Sequence, residues 1–229
     1  MKAVILAAGK GTRLQPITNT IPKGLIEVNS KPILAHIFDS VSSIVDEIIL
    51  VIGHKGELIK NYFKLSYNSI PIKYVYQEQQ LGTGHALLCA KEYLDGDFIV
   101  LNGDDIYHFQ DITKLSDVPF GVLSIKVENW ENFGVLKINE TSNTLIEIIE
   151  KPKYFISSLI NTGVYKLHSS IFEYELNKSL RGEYEIIDYL NYLVSNKFDV
   201  HVVKISKYWL PINTHEQLDF ARTNLKNYK

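Results

Sequence analysis

The segment Leu6-Ala7-Ala8-Gly9-Lys10-Gly11-Thr12-Arg13-Leu14, followed by Pro22-Lys23, places flexible backbone and cations in one loop directly after the apolar run Val4-Ile5-Leu6. Residues as small as Ala7 to Gly11 let backbone N–H groups crowd around an anion, and Arg13 and Lys23 can neutralise it. This is phosphate-handling chemistry, and a nucleoside triphosphate is the guest that suits it. A second group, Asn102-Gly103-Asp104-Asp105, follows the apolar run Phe98–Leu101 and sets carboxylates at a strand end. Mg²⁺ takes one or two carboxylates and completes its shell with water and phosphate oxygens, so an acidic turn here is chemically apt. An Asx turn capping a strand is the plainer reading of the same residues. A third segment, Gln77-Glu78-Gln79-Gln80-Leu81-Gly82-Thr83-Gly84-His85-Ala86, offers amide, hydroxyl and free backbone groups for reading a base edge. It also reads as a helix N-terminus with Thr83 near the cap.

Two better-known glycine patterns do not fit the first loop. A P-loop needs a second glycine where this chain has Leu14, and a dinucleotide fingerprint needs its third glycine at the same place. What fits is the opening signature L-A-A-G-x-G-T-R-L-x-P-x-T-x-x-x-P-K, matched at every fixed position by Leu6 to Leu14, Pro16, Thr18, Pro22 and Lys23. In this the chain resembles the nucleotidyltransferases that activate sugar 1-phosphates. A glycine turn that merely closes a β-α unit explains Gly9 and Gly11, but not the cations and prolines at these spacings.

The resemblance implies roles residue by residue. Arg13, Lys23 and Asp104 are the implied catalytic residues, with Asp104 holding Mg²⁺. Leu6, Ala7, Ala8, Gly9, Gly11, Thr12, Gln77, Gly82 and Thr83 are implied in nucleotide binding, with Gln77 on the pyrimidine edge. The run Leu81 to Ala86 is similar to that of N-acetylglucosamine 1-phosphate uridylyltransferases, which tilts the nucleotide towards UTP, with dTTP close behind. Three further matches, Phe133-Gly134-Val135, Glu150-Lys151-Pro152 and Asn161-Thr162-Gly163, resemble the family's sugar pocket. They imply Gly134, Glu150 and Asn161 around the ring and Lys151 on its phosphate. Arg181 to Asp188 resembles a further family segment, although a helix start with acidic residues favourable to the dipole explains it equally well.

One departure stands out. The family's Trp-x-Asp-x-Gly-Thr carries a second metal ligand, whereas this chain reads Trp209-Leu210-Pro211-Ile212-Asn213-Thr214. Proline cannot coordinate a metal through its side chain, so either Asp104 acts with waters and phosphate oxygens, or Asn213, two residues later, supplies an amide oxygen as the second ligand for Mg²⁺. Asp105 is expected to face solvent or to stand behind Asp104. The implied reaction moves a nucleotidyl group from UTP or dTTP to a glucose- or N-acetylglucosamine-type 1-phosphate and releases pyrophosphate. Two other readings stay open: a cytidylyltransferase acting on a non-sugar phosphate such as phosphocholine, and a nucleotide-binding regulatory protein weakened by Pro211.

The elements that must carry these groups are legible as alternation. Ala3–Leu6, Ile48–Ile52, Ile72–Tyr76 and Phe98–Leu101 are apolar, and the amphipathic stretches 32–45, 57–63 and 84–93 lie between them. Runs without polar alternation suit strands covered on both faces, so the expectation is an α/β fold with a Rossmann-like, mainly parallel sheet flanked by helices. The resemblance narrows this to the nucleotide-diphospho-sugar transferase type. Ligands in such sheets sit beyond the carboxyl ends of the strands, where Gly9, Gly53 and Gly103 fall. Beyond residue 120 strand-like segments dominate at 120–127, 135–138, 145–149 and 161–165, with helices expected at 183–194 and 215–225. A single domain over 1–229 is expected, with a nucleotide half of about 1–115 and a sugar half of about 116–229.

Composition sets outer bounds. Of 229 residues 45% are hydrophobic, and 24 basic against 26 acidic residues leave no broad charged face for nucleic acid or membrane. No apolar run approaches the roughly 18 residues of a membrane span, and Cys89 has no disulfide partner. A cytoplasmic enzyme is expected, and a homo-oligomer is compatible with the sequence. The seven histidines, His36, His54 and His85 among them, lack metal-ligand spacing and read as structural.

Overall fold

The apolar runs of the first half become strands and the amphipathic runs become helices between them in the computed structural model, which describes residues 1–179 and 181–228; Leu180 and Lys229 of the expected domain lie outside the described residues. Strand β1 (Lys2–Ala7) is followed by β2 (Glu27–Val28), β3 (Lys31–Pro32), α1 (Ile33–Val41), β4 (Glu47–Ile52) and α2 (Gly56–Phe63). Then come β5 (Ser66–Tyr67), β6 (Ile70–Tyr76), α3 (Thr83–Cys89), β7 (Asp97–Asn102), β8 (Asp105–Tyr107), α4 (Phe109–Ser116) and β9 (Gly121–Lys126). The chain continues through β10 (Gly134–Asn139), β11 (Thr144–Glu150), β12 (Leu159–His168), α5 (Ile187–Ser195), β13 (His201–Lys204), β14 (Trp209–Pro211) and α6 (His215–Asn224).

One ten-stranded sheet spans both halves in the order β10-β11-β13-β9-β12-β7-β1-β4-β6-β5. In the first half β1 runs parallel to β4 and β7, and β4 parallel to β6, as crossover helices require. The second half is different: β12 is antiparallel to both β7 and β9, and β10 is antiparallel to β11. The β10–β11 connection is too short for a crossover, so a hairpin results. The whole is therefore an α/β fold on a mixed sheet, with its parallel strands concentrated under the phosphate loop.

Two apolar layers cover the sheet. Ile48, Leu50 and Ile52 belong to one, and Ile49 and Val51 to the other, so β4 is buried on both faces and needs no polar alternation. Helix α1 packs Ile33, Leu34, Ile37, Phe38 and Val41 into the first layer, where Phe38 meets Phe63 and Tyr67 edge-on at 4.8 and 5.2 Å. Helix α5 brings Tyr189, Leu190 and Leu193 to the second.

Some elements differ from expectation. The helix expected from residue 183 begins at Ile187, because 183–186 instead hydrogen-bonds along the base-reading segment. Helix α4 and the short strands β8, β13 and β14 were too brief or too polar to stand out. The antiparallel pair β8–β14 matters most, since it sets Pro211 opposite Asp105 and so brings the 209–213 segment to the acidic turn. Among the described residues no helix is long and apolar enough to cross a membrane.

Candidate active site

Strand β1 ends at Ala7, and the loop after it turns at Gly11, whose left-handed φ of 64° starts a short 3₁₀ turn over Thr12–Leu14. Leu14 is buried and anchors the turn, while Thr18 Oγ1 donates to the Gly11 carbonyl at 2.9 Å. The loop is tied to both neighbouring segments: Gly103 N–H donates to Leu6 O at 2.9 Å, and Gln80 Nε2 donates to Ala8 O at 2.7 Å. Sheet and side-chain bonds thus hold phosphate loop, acidic turn and base-reading segment around one cavity of about 420 Å³.

At its floor lies the arrangement that gives the cavity its chemistry. Lys23 Nζ is 2.8 Å from Asp104 Oδ2 and 3.1 Å from Asn213 Oδ1, and Arg13 donates to the same Asn213 oxygen at 2.9 Å. The Lys23 side chain is largely buried, so its charge is held in place rather than swinging in solvent. Asn213 is positioned from its own side: its N–H donates to Gln217 Oε1 at 2.8 Å, just ahead of the Thr214 cap of α6. The two oxygens of Asp104 and Asn213 already share one positive charge. Among the described residues no cluster of three or more His, Cys, Asp or Glu forms a metal cage. A cation held by Asp104 and Asn213 would have few protein ligands and would lean on phosphate oxygens, a donor set that suits Mg²⁺.

Asp105 stands behind Asp104, not in solvent. It is buried and accepts from Trp209 Nε1 at 3.0 Å and from Ile212 N at 3.3 Å. Burial and the neighbouring Asp104 charge push its carboxyl up to about 7, against the pull of Lys23 and of the two hydrogen bonds. Its place is structural: it holds the Trp209 indole ahead of Pro211 and the Ile212 backbone just after it, and so delivers Asn213 to the cavity.

The segment 77–86 is clamped by a distant strap at 183–186. Gly84 N–H donates to Tyr184 O and Tyr184 N–H to Leu81 O, both at 2.8 Å. Thr83 does not cap α3; its Oγ1 accepts from Ile186 N at 3.1 Å, and Gly82 occupies the cap position without a side-chain bond. Gly82 has φ of 108°, and a Cβ there would lie 2.4 Å from Tyr184 O, so only glycine lets the strap sit this close.

The sugar-type residues gather at the antiparallel end, outside the cavity lining. Gly134 pairs with Glu150 across β10 and β11, and Asn161 Oδ1 accepts from Gly163 N at 2.8 Å. Arg181 reaches Glu150 at 3.1 Å and Glu183 at 2.8 Å, and Glu183 itself lines the cavity, which makes this arginine the bridge between the two ends. Lys151 is half exposed and 3.9 Å from Glu150. Glu185 is buried nearby, and burial raises its carboxyl despite Arg181. Gly163 completes the junction, since a Cβ would fall 2.0 Å from Asn102 Nδ2 on the cavity wall.

Residues 2–227 match the sequence profile of the nucleotidyl transferases. The chain belongs to that family. It is 44% identical over 213 residues to the bifunctional protein GlmU of Methanococcus maripaludis, covering 91% of this chain and 50% of that protein. It is 35% identical over 236 residues to the UTP–glucose-1-phosphate uridylyltransferase AglF of Haloferax volcanii, covering 99% of this chain and 97% of that protein. The chain thus spans about half the length of the GlmU relatives. Among solved structures, a putative glucose-1-phosphate thymidylyltransferase from Bacillus anthracis superposes with a TM-score of 0.88 at 28% identity, covering all of this chain and 96% of that one.

Within this nucleotidyl transferase, Leu6, Ala7, Ala8, Gly9, Gly11, Thr12, Arg13, Lys23, Gln77, Gly82, Thr83, Asp104 and Asn213 all line the one cavity. Gly134, Glu150, Lys151 and Asn161 do not. Residues that line it without being foreseen include Gln80, Asn102 and Glu183. Gln80 was within reach, because it lies inside the segment already singled out. Glu183 also lies inside a segment singled out, 181–188, but nothing local in its sequence shows that it meets residues a hundred positions earlier.

Proposed function

We propose that this chain transfers a nucleotidyl group from a nucleoside triphosphate, UTP or dTTP, to a sugar 1-phosphate of the glucose or N-acetylglucosamine type. The sugar-phosphate oxygen attacks the α-phosphorus, the bond to the β-phosphate oxygen breaks, and pyrophosphate leaves. The observation that carries this reading is the Lys23 ammonium shared by Asp104 and Asn213 beside Arg13, at the mouth of a glycine loop. The relatives support it: one is named for UTP and glucose 1-phosphate.

A phosphate dianion is already a nucleophile, so no general base is needed, and the protein's task is in-line positioning with charge neutralisation. Arg13 holds the leaving pyrophosphate and Lys23 the phosphates nearest the reacting centre. Backbone of Leu6 to Thr12 cradles the triphosphate, while Gln77, Gly82 and Thr83 hold the base. Mg²⁺ bound by Asp104 and Asn213 would supply further charge neutralisation at the α-phosphate. In the half at about 116–229, Glu150, Asn161 and Gly134 meet the sugar hydroxyls and Lys151 its phosphate; Arg181 links them to the nucleotide half at about 1–115.

The test is pyrophosphate release in Mg²⁺ with glucose and N-acetylglucosamine 1-phosphates against UTP, dTTP, CTP, ATP and GTP. Release with a pyrimidine triphosphate and one sugar phosphate is expected. Silence across all pairs, with UTP still bound, would overturn the reading.

A further inference from the structure

Gln77 lies just past β6, buried in the cavity wall. Its amide nitrogen donates to the carbonyl oxygen of Gly82 at 3.1 Å and lies 3.0 Å from Nδ1 of His85. The orientation of a side-chain amide has to be read from its partners, and here the partners decide it. A backbone carbonyl can only accept, so the end of the amide facing Gly82 is the NH₂ end. The second N–H then points to His85, whose Nδ1 can receive it only in the neutral ring with its proton on Nε2. Both donors are engaged within the protein. Among the described residues the carbonyl oxygen Oε1 has no hydrogen-bond partner, and it is not sealed away among the buried unpaired atoms. It is the acceptor that Gln77 offers to the cavity.

His85 is itself held in place. Its ring stacks on Tyr184, with centroids 6.3 Å apart and planes at 30°, and the Tyr184 backbone is bonded to Leu81 and Gly84. The strap that clamps the base-reading segment therefore also fixes the ring that fixes the amide.

We infer that His85 is a specificity-determining positioning residue: through Gln77 it makes the cavity present an acceptor, which takes a base with an imide N–H and opposes one with a bare ring nitrogen at that place. Uracil and thymine carry that N–H. Cytosine carries an acceptor there, so the two lone pairs would face each other. A swung amide would reverse the preference, and His85 is the second of two restraints against swinging. The inference rests on the nucleotidyl-transfer reading and adds to it the residue that sets the class of base.

The test measures equilibrium affinity for UTP and CTP by calorimetry, with kcat and KM for each, in the unaltered protein, H85F and H85N. The phenyl ring of H85F keeps the stacking and removes the acceptor; the Oδ1 of H85N can replace Nδ1. The unaltered protein should prefer UTP, and H85F should narrow the UTP-over-CTP affinity ratio about tenfold, as loss of one hydrogen bond allows. That loss should appear in the KM for UTP while kcat changes little, and H85N should recover most of it. If H85F folds poorly, H85L makes the same comparison with less bulk. An unchanged ratio in the variant lacking the acceptor, or equal losses in H85F and H85N, would overturn the inference. The two failures are separable: UTP preference in binding without pyrophosphate release defeats the reaction alone, whereas turnover with an unmoved ratio defeats the role of His85 alone.

Discussion

On the proposed function this protein has a phosphate end and a sugar end, and the two are built on opposite plans. At the phosphate end, Arg13, Lys23 and Asp104 sit on loops that leave adjacent parallel strands, and Lys23 and Arg13 converge on the side-chain oxygens of Asp104 and Asn213. At the sugar end, Glu150, Asn161 and Arg181 come from antiparallel strands and a strap, and the charges pair chiefly with one another. The first plan buries the Lys23 charge and fixes it before a substrate arrives, which is what transition-state stabilisation needs, although Arg13 beside it stays exposed. The second leaves Arg181 and Lys151 partly exposed and able to exchange partners, which suits binding more than chemistry. The contrast teaches that kcat should be set at one end and KM for the sugar phosphate at the other.

The largest effect should come from the phosphate end. K23A and R13A are each expected to lower kcat about 100- to 1000-fold, the usual cost of a preorganised group aimed at developing charge, with an unchanged circular-dichroism spectrum. Steady-state assays at saturating substrates check this, and near-normal kcat in either variant breaks the comparison at its root. Next, N213A should raise the Mg²⁺ concentration needed for half-maximal rate about tenfold, since Asp104 remains as a ligand and phosphate oxygens complete the shell. A magnesium titration reads this directly. An unaltered titration would mean that Asn213 serves only as the acceptor for Arg13 and Lys23.

The sugar end should respond differently. E150A removes an acceptor and frees Arg181, so KM for the sugar phosphate should rise about tenfold while kcat at saturation falls by less. Should E150A instead lower kcat as deeply as K23A, the division of labour between the two ends would be gone. R181A sharpens the same point, because it cuts the bridge to Glu183 and should produce a smaller rise of the same kind.

The two ends also differ in how far the sequence discloses them. Leu6 to Lys23 is one contiguous stretch, and β-α-β periodicity with short connections is local, so the phosphate loop and the parallel direction of the first strands can be read without a structure, whereas their order in the sheet cannot. Asp104 and Asn213 were readable as candidates, but their meeting depends on β8 and β14, three-residue strands with no periodicity to betray them. The acidic residues from Glu183 to Asp188 suit a helix start, yet at 183–186 hydrogen bonds to Leu81, Thr83 and Gly84 outweigh that local preference. Asp105 shows the same limit: the resemblance singles out Asp104 and leaves Asp105 either in solvent or behind it, and the approach of Trp209 and Ile212 decides for the buried place.

The smallest of these effects tests the seam where the two ends touch. At Gly82 the φ of 108° already disfavours any other residue, and the atoms that a Cβ would strike, Tyr184 O at 2.4 Å and Tyr184 N at 2.9 Å, are backbone and cannot rotate aside. In G82A the strap must move away from the base-reading segment, at about 1–3 kcal/mol in strain and weakened bonds. Because the phosphate loop hangs from β1 and β7 and not from the strap, kcat should stay within a few-fold while the melting temperature drops and KM for the triphosphate rises. A G82A variant that loses kcat like K23A would mean that the strap positions the reacting phosphates as well as the base, and that the two ends work as one.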